Sequence, residues 1–297
     1  MTLPFQYDHQ KLLVFGGEEA EPSEFETARA AILPIPLERT TSYIQGTKNG
    51  PREILHASSQ LELWDEELKV DVSSVGLCSL PGMELPHDDM QAALDEITNV
   101  ASAILEKEKF LISLGGEHSI TPALVAATTA HYPSLSILQI DAHADLRESY
   151  MGSRLSHACA MRRSLEFARC TQVGIRSMSQ EEAEIVPSLN TTIFFDVNMR
   201  QRTDWMNDVV KSLGQHVYIT IDCDGLEPGT MPAVGTPEPG GLSWMELLGL
   251  LRAVFSQREV LACDVVELCP IPGVIHPNFL CAKLVYKLLT YKFAHLD

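Results

Sequence analysis

Asp141, His143 and Asp145 occupy alternate positions in the segment Gln139-Ile140-Asp141-Ala142-His143-Ala144-Asp145. Alternate residues of an extended chain face the same way. Two carboxylates and an imidazole would therefore project together at, or just past, the end of the apolar run Leu135–Ile140. Such a row is half of a metal site. Three further stretches carry similar donors: Gly115-Gly116-Glu117-His118-Ser119, Asp222-Cys223-Asp224 and Asp264-Val265-Val266-Glu267. One Asp-x-Asp pair usually marks a loop, but an Asp-x-His-x-Asp row beside the other stretches points to a metal centre. The candidate ligands are His118, Asp141, His143, Asp145, Asp222 and Asp224. The set lacks sulfur, although Cys223 lies between two of its members, and oxygen-rich sets favour harder ions, manganese first. Six ligands are too many for one catalytic ion that keeps a position open. They suit two ions sharing bridging carboxylates, about 3.5–4 Å apart, with a water activated between them.

These residues need a scaffold that brings distant segments together. Strands are expected at 30–33, stopped by Pro34 and Pro36, and at 70–78, 110–114, 135–140, 171–175, 192–195, 216–221 and 260–266. Helical spacing or start signals are expected over 52–60, 91–107, 119–130, after the basic segment Met161-Arg162-Arg163, from the Ser243 cap through Phe255, and over 278–291. Strands alternating with helices predict an α/β fold, a mainly parallel sheet covered on both faces. Ligands of such sheets bind beyond the carboxyl ends of the strands, where His118, the Asp141 row, the Asp222 pair and Glu267 all fall. Residues 1–28 read as a loosely structured polar arm, and no composition shift divides the chain, so 1–297 reads as one domain.

Composition narrows the class. Of the 297 residues, 45% are hydrophobic and 21% charged, as in a soluble globular enzyme. No apolar run is long enough to span a membrane, and no secretory signal is expected. Seven scattered cysteines, an odd number, suit reduced thiols in a cytoplasmic protein. A net charge of −18 repels nucleic acid and anionic membranes and attracts cationic ligands.

With the Gly-Gly-x-His-Ser, Asp-Ala-His-x-Asp and Asp-x-Asp segments joined by the loop Gly235-Thr236-Pro237-Glu238-Pro239-Gly240-Gly241-Leu242, the chain resembles the ureohydrolases, the arginase and agmatinase family, from its first strand to its last helix. The resemblance implies a three-layer α/β/α sandwich with an eight-stranded parallel sheet and two manganese ions at the strand ends. Asp141 and Asp222 would bridge them, His118 and Asp145 would complete one, and His143 and Asp224 the other. A hydroxide held between the ions would attack a guanidinium carbon, giving urea and a primary amine. Glu267 matches the family's acidic residue that orients the guanidinium, a planar fork meeting a carboxylate. Asp145 would pass on a proton and His157 matches the family's active-site histidine, a candidate shuttle. A non-catalytic relative would be expected to have lost ligands, and none is missing here.

The resemblance also addresses the substrate. Arginase-type members have Asn two residues before that histidine and Gly after it; here these are Leu155 and Ala158. An apolar Leu cannot donate to an α-carboxylate, so arginine is disfavoured. The stretch 146–163 is similar to bacterial and archaeal agmatinases, which makes agmatine the expected small cationic guanidino substrate and N1-aminopropylagmatine or another guanidine the alternative. Arg154, if it contacts substrate, would favour 4-guanidinobutyrate. Glu117 and Glu227 depart from the Asp found in many relatives. The family implies a homo-oligomer, trimer or hexamer.

Overall fold

The computed structural model describes residues 13–294. Its strands are β1 (Ala30–Ile35), β2 (Leu77–Ser79), β3 (Phe110–Gly115), β4 (Leu135–Ile140), β5 (Arg169–Ile175), β6 (Thr191–Phe195), β7 (His216–Asp222) and β8 (Glu259–Val266). The helices are α1 (Gly50–Ser58), α2 (Met90–Leu105), α3 (Thr121–His131), α4 (Ala160–Ser164), α5 (Gln180–Ile185), α6 (Asp196–Met199), α7 (Trp205–Ser212), α8 (Trp244–Gln257) and α9 (His276–Phe293). All eight strands are parallel, in the order β2-β1-β3-β8-β7-β4-β5-β6. The chain winds outward first and fills the centre last, with β8 and β7 between β3 and β4.

Strand residues alternate between two cores. Ile112, Leu138, Ile140, Ile219 and Val265 pack with α1, α7, α8 and α9 on one face. Leu111, Ile137, Tyr218 and Ala262 pack with α2, α3 and α4 on the other. The sheet is thus the middle of three layers. Its central strands are buried on both faces, which is why they read as near-continuous apolar runs. The Ser243 cap appears with its reciprocal partner: Ser243 Oγ accepts from Glu246 N, and Glu246 Oε2 accepts from Ser243 N. This closes two donors at the start of α8.

Three sequence expectations need correction. Strand β1 runs through Pro34 to Ile35. The missing N–H of Pro34 faces the β2 side, where β2 has already ended at Ser79, so no ladder bond is lost. The segment 70–78 is mostly irregular, with a short helical turn Ser73–Val75, and contributes only Leu77 and Cys78 to β2. Finally, residues 13–28 are packed rather than loose. Phe15, Ala20, Phe25 and Ala28 are buried, and Phe15 N and Gly16 N donate to Ser79 Oγ and Ser58 Oγ. The remainder of that arm, residues 1–12, lies outside the described residues.

Two glycines allow the strand ends to converge. A Cβ on Gly116 would meet Leu37 O at 2.0 Å, and one on Gly225 would meet Asp141 N at 2.8 Å. The first lets the end of β3 close onto the loop after β1. The second lets the Asp222-Cys223-Asp224 turn close onto the end of β4.

Candidate metal centre

Four adjacent strands, β3, β8, β7 and β4, deliver the candidate residues at their carboxyl ends. Strand β4 stops at Ile140, so the convergence of Asp141 and His143 does not come from the pleat. It comes from a turn in which Asp141 Oδ1 accepts from His143 N at 2.6 Å. Asp222 repeats the device after β7, accepting from Asp224 N at 2.9 Å. An Asp side chain that mimics a backbone turn in this way swings the residue two places on back toward it. The two turns are stitched together by Ala142 N, which donates to Asp224 Oδ1 at 3.0 Å.

His118 is buried, and its Nδ1 faces three carboxylates: Asp145 Oδ2 at 3.1 Å, Asp141 Oδ2 at 3.2 Å and Asp222 Oδ2 at 3.4 Å. Among the described residues, that nitrogen makes no hydrogen bond of acceptable geometry. His143 Nδ1 lies 2.9 Å from Asp224 Oδ2 and 3.8 Å from Asp141 Oδ1. The ligand atoms fall into two groups that share Asp141, one with His118 and Asp145, the other with His143 and Asp224.

The electrostatics show an uncompensated cluster. Burial and the charge of Asp224 push Asp141 up to about 7. The same two causes hold Asp222 well above the usual carboxylate range. Burial disfavours the His143 imidazolium, but its hydrogen bond to Asp224 and the charges of Asp224 and Asp141 push it up to about 11. His118 is likewise raised by Asp141, Asp145 and Asp222 against the cost of burial. Like charges crowded at this depth require positive charge, either protons or cations.

The surroundings of His118 favour cations. Its Nε2 is 2.9 Å from Thr220 Oγ1, and that hydroxyl donates to Asp264 Oδ1 at 2.6 Å. With its proton committed, Thr220 accepts from His118 Nε2–H, so in the neutral ring the lone pair lies on Nδ1. Asp264 is anchored further by the hydroxyls of Tyr218 and Thr121 and does not join the cluster. A lone pair aimed at three carboxylates is repulsive unless a cation lies between them, so the donor set fits a metal. Among the described residues this relay from Asp264 was invisible as such in the sequence, because a Thr and an Asp on neighbouring strands are ordinary core polar residues.

Glu267 follows β8 at the edge of a cavity of about 280 Å³. Its backbone is in the left-handed region, φ 64°, and Asp145 has φ 52°. Such conformations cost energy in non-glycine residues and persist only when held. Glu267 N donates to Gly116 O, and Glu267 Oε1 accepts from His118 N at 2.7 Å. The Asp145 carbonyl accepts from Met161 N and Arg162 N, tying it to the start of α4. Burial and the nearby Glu117 charge hold the Glu267 carboxyl well above its usual range.

The cavity is lined by His118, His143, Asp145, His157, Asp222, Asp224 and Glu267, and Asp141, fully buried, meets the lining through His118. The cavity's opposite wall is built from loops: Tyr43 and Ile44, Arg147 and Tyr150, and Met178. The sequence reading did not single these out, since none belongs to a recognisable spacing. Arg154 is not brought to the cavity; 62% of its side chain is exposed and it pairs with Glu148 at 2.7 Å. Leu155 lines a different groove, beside α2 and α3, so it meets no ligand of this cavity directly, whereas Ala158 does line it. Glu227 is exposed, accepts from Thr230 Oγ1, and lines a separate surface pocket.

Residues 28–290 match the Arginase family. The chain belongs to that family. It is 39% identical to N(1)-aminopropylagmatine ureohydrolase of Synechocystis over 91% of this chain and 90% of that one. It is 34% identical to agmatinase of Bacillus subtilis, over 85% of this chain and 87% of that one. The crystal structure of agmatine ureohydrolase of Thermoplasma volcanium superposes with a TM-score of 0.86 at 31% identity, covering 96% of each chain. These matches agree with the eight-stranded parallel sandwich expected from the sequence.

Proposed function

We propose that this family member hydrolyses the guanidinium group of agmatine, releasing urea and putrescine. The observation that carries the reading is the convergence of two histidines, four aspartates and Glu267 at the end of one cavity. His118 and Asp145 would hold one divalent cation, His143 and Asp224 a second, and Asp141 and Asp222 both. Manganese suits such an oxygen-rich set. Bound there, the cations would supply Lewis-acid charge and lower the pKa of a captured water.

The protein's own groups do the rest. Glu267 pairs through its carboxylate with the planar guanidinium and orients its carbon toward the aspartates. Its left-handed backbone, pinned at Gly116 and His118, fixes that direction. The departing amine nitrogen needs a proton, which the Asp145 carboxylate takes from the attacking water and passes on. His157, on the cavity wall, exchanges protons with solvent. The loop wall of Tyr43, Ile44 and Tyr150 takes the aliphatic tail.

A second reading, N1-aminopropylagmatine as substrate, is favoured by one observation: relatives of that name from Synechocystis and Thermus thermophilus are 39% and 36% identical to this chain. Guanidinobutyrate loses its support with Arg154 on the surface. The same proposal includes a single domain over the whole chain, assembly as a trimer or hexamer, and cytoplasmic action in polyamine synthesis. The test is kcat/KM for agmatine, N1-aminopropylagmatine and arginine on the manganese-loaded protein. Agmatine should exceed arginine by at least about 100-fold, the scale on which a site discriminates against a polar group it is not built to hold. Preference for the aminopropyl compound would select the second reading.

A further inference from the structure

Glu117 is fully buried beside the cluster but takes no part in it. Five donors converge on its two oxygens: Arg39 N at 2.7 Å, Thr40 N at 2.6 Å, Thr41 N at 3.2 Å, Ser119 Oγ at 2.6 Å and Thr40 Oγ1 at 2.8 Å. The carboxylate therefore binds the loop after β1 by three backbone amides and claims the hydroxyl proton of Thr40. A hydroxyl has one proton to give. Thr40 Oγ1 can only accept from its remaining neighbours, and both belong to His157: the backbone N at 2.9 Å and Nδ1 at 3.1 Å. Nδ1 must then carry a proton. Ser156 Oγ, 3.3 Å from the same nitrogen, is the longer contact and can accept as readily as donate. The ring is held from its other side by Tyr150, edge to face at 5.9 Å and 87°.

We infer that Glu117, acting through Thr40, positions His157 with its proton on Nδ1 and its bare Nε2 toward the cavity. Both are positioning residues; His157 is the group that meets the substrate or the proton in transit. The inference rests on the proposed guanidine hydrolysis for its effect on turnover, but not for its effect on the ring. Neutral His157 in this tautomer accepts at Nε2, as a shuttle to solvent requires. In the opposite tautomer it would present a donor there.

The experiment compares wild type with Thr40→Val, which keeps the shape and removes the hydroxyl, and Thr40→Ser, which restores it. The protein is labelled with 15N-histidine and loaded with diamagnetic zinc, and the His157 signals are assigned by their loss in His157→Asn. Wild type and Thr40→Ser should show Nδ1 protonated and Nε2 bare. Thr40→Val should move population to the Nε2-protonated form. With manganese, Thr40→Val should lose about 10- to 100-fold in kcat, the size typical when a group orienting a functional histidine is removed. Its metal content should match wild type, KM should stay within about threefold, and Thr40→Ser should recover most of kcat. A wild-type ring protonated on Nε2, or a Thr40→Val ring unchanged from wild type, overturns the inference. If no guanidine is turned over at all, the proposed function fails while the ring signals still decide the relay. Should Thr40→Val not fold, the wild-type and Thr40→Ser spectra decide it.

Discussion

The two walls of the cavity are built differently. One is the ends of four central strands, where His118, Asp141, Asp222 and Asp224 are buried, the three aspartates accepting from backbone N–H groups and His118 bonded to the Thr220 hydroxyl. The other is loops, where Tyr43 is 75% exposed and the hairpin at Met151-Gly152 leaves Met151 77% exposed. The strand wall has the rigidity that charge-crowded chemistry needs, because each carboxylate is oriented before any ligand arrives. The exposed side chains of the loop wall can change without moving a metal ligand. One fold can in this way keep a reaction and vary its substrate.

The comparison breaks first at the strand wall. His143→Ala should lose one of two cations and essentially all turnover, measured by metal analysis of the dialysed protein and by urea release. Retention of both cations would remove His143 from the ligand set. In the intact protein the same groups make uptake pH-dependent. A cation must displace protons from His143, held up to about 11, and from Asp141, held up to about 7. Affinity therefore rises with pH, and moving from pH 8 to 6 should weaken it by at least about tenfold, since protons and cations compete for the same atoms. An affinity flat across that range would contradict the assignment.

Glu267→Gln should come next, with about a thousandfold loss in kcat/KM and full metal content, because a charge-assisted fork is removed while the cluster stays intact. Activity near wild type would take Glu267 out of the mechanism. The smallest effect belongs to the loop wall. Tyr150→Ala should raise KM for agmatine by about tenfold and change the ratio between agmatine and its aminopropyl derivative, with both cations retained, as expected when an apolar side contact is lost. Loss of metal in that variant would show that the two walls are not separable.

Much of the strand wall was legible in the sequence. An apolar run of six residues ending in Asp-Ala-His-Ala-Asp has few readings other than a buried strand delivering ligands, and Leu135–Ile140 is that strand. What the pattern could not reveal was the mechanism of convergence: the turn closed by the Asp141 carboxylate replaces the strand pleat, and Gly225 sets how near the second turn can come. The supporting groups were hidden for a different reason. Thr40 and Glu117 are 77 residues apart and Thr220 and His118 are 102 apart, so no local spacing links them. Pro34 misled because its effect depends on which neighbour its missing N–H would have faced. Leu155, read as offering no donor to an α-carboxylate, lines another groove altogether.

The central claim is that this cluster holds two cations and that guanidine hydrolysis needs both. The direct test is urea release from agmatine and from N1-aminopropylagmatine as manganese is titrated into metal-free protein. The account predicts that activity climbs to a plateau at two equivalents per chain, with little at one. A plateau at one equivalent, or two cations bound with no urea from either compound, would contradict it.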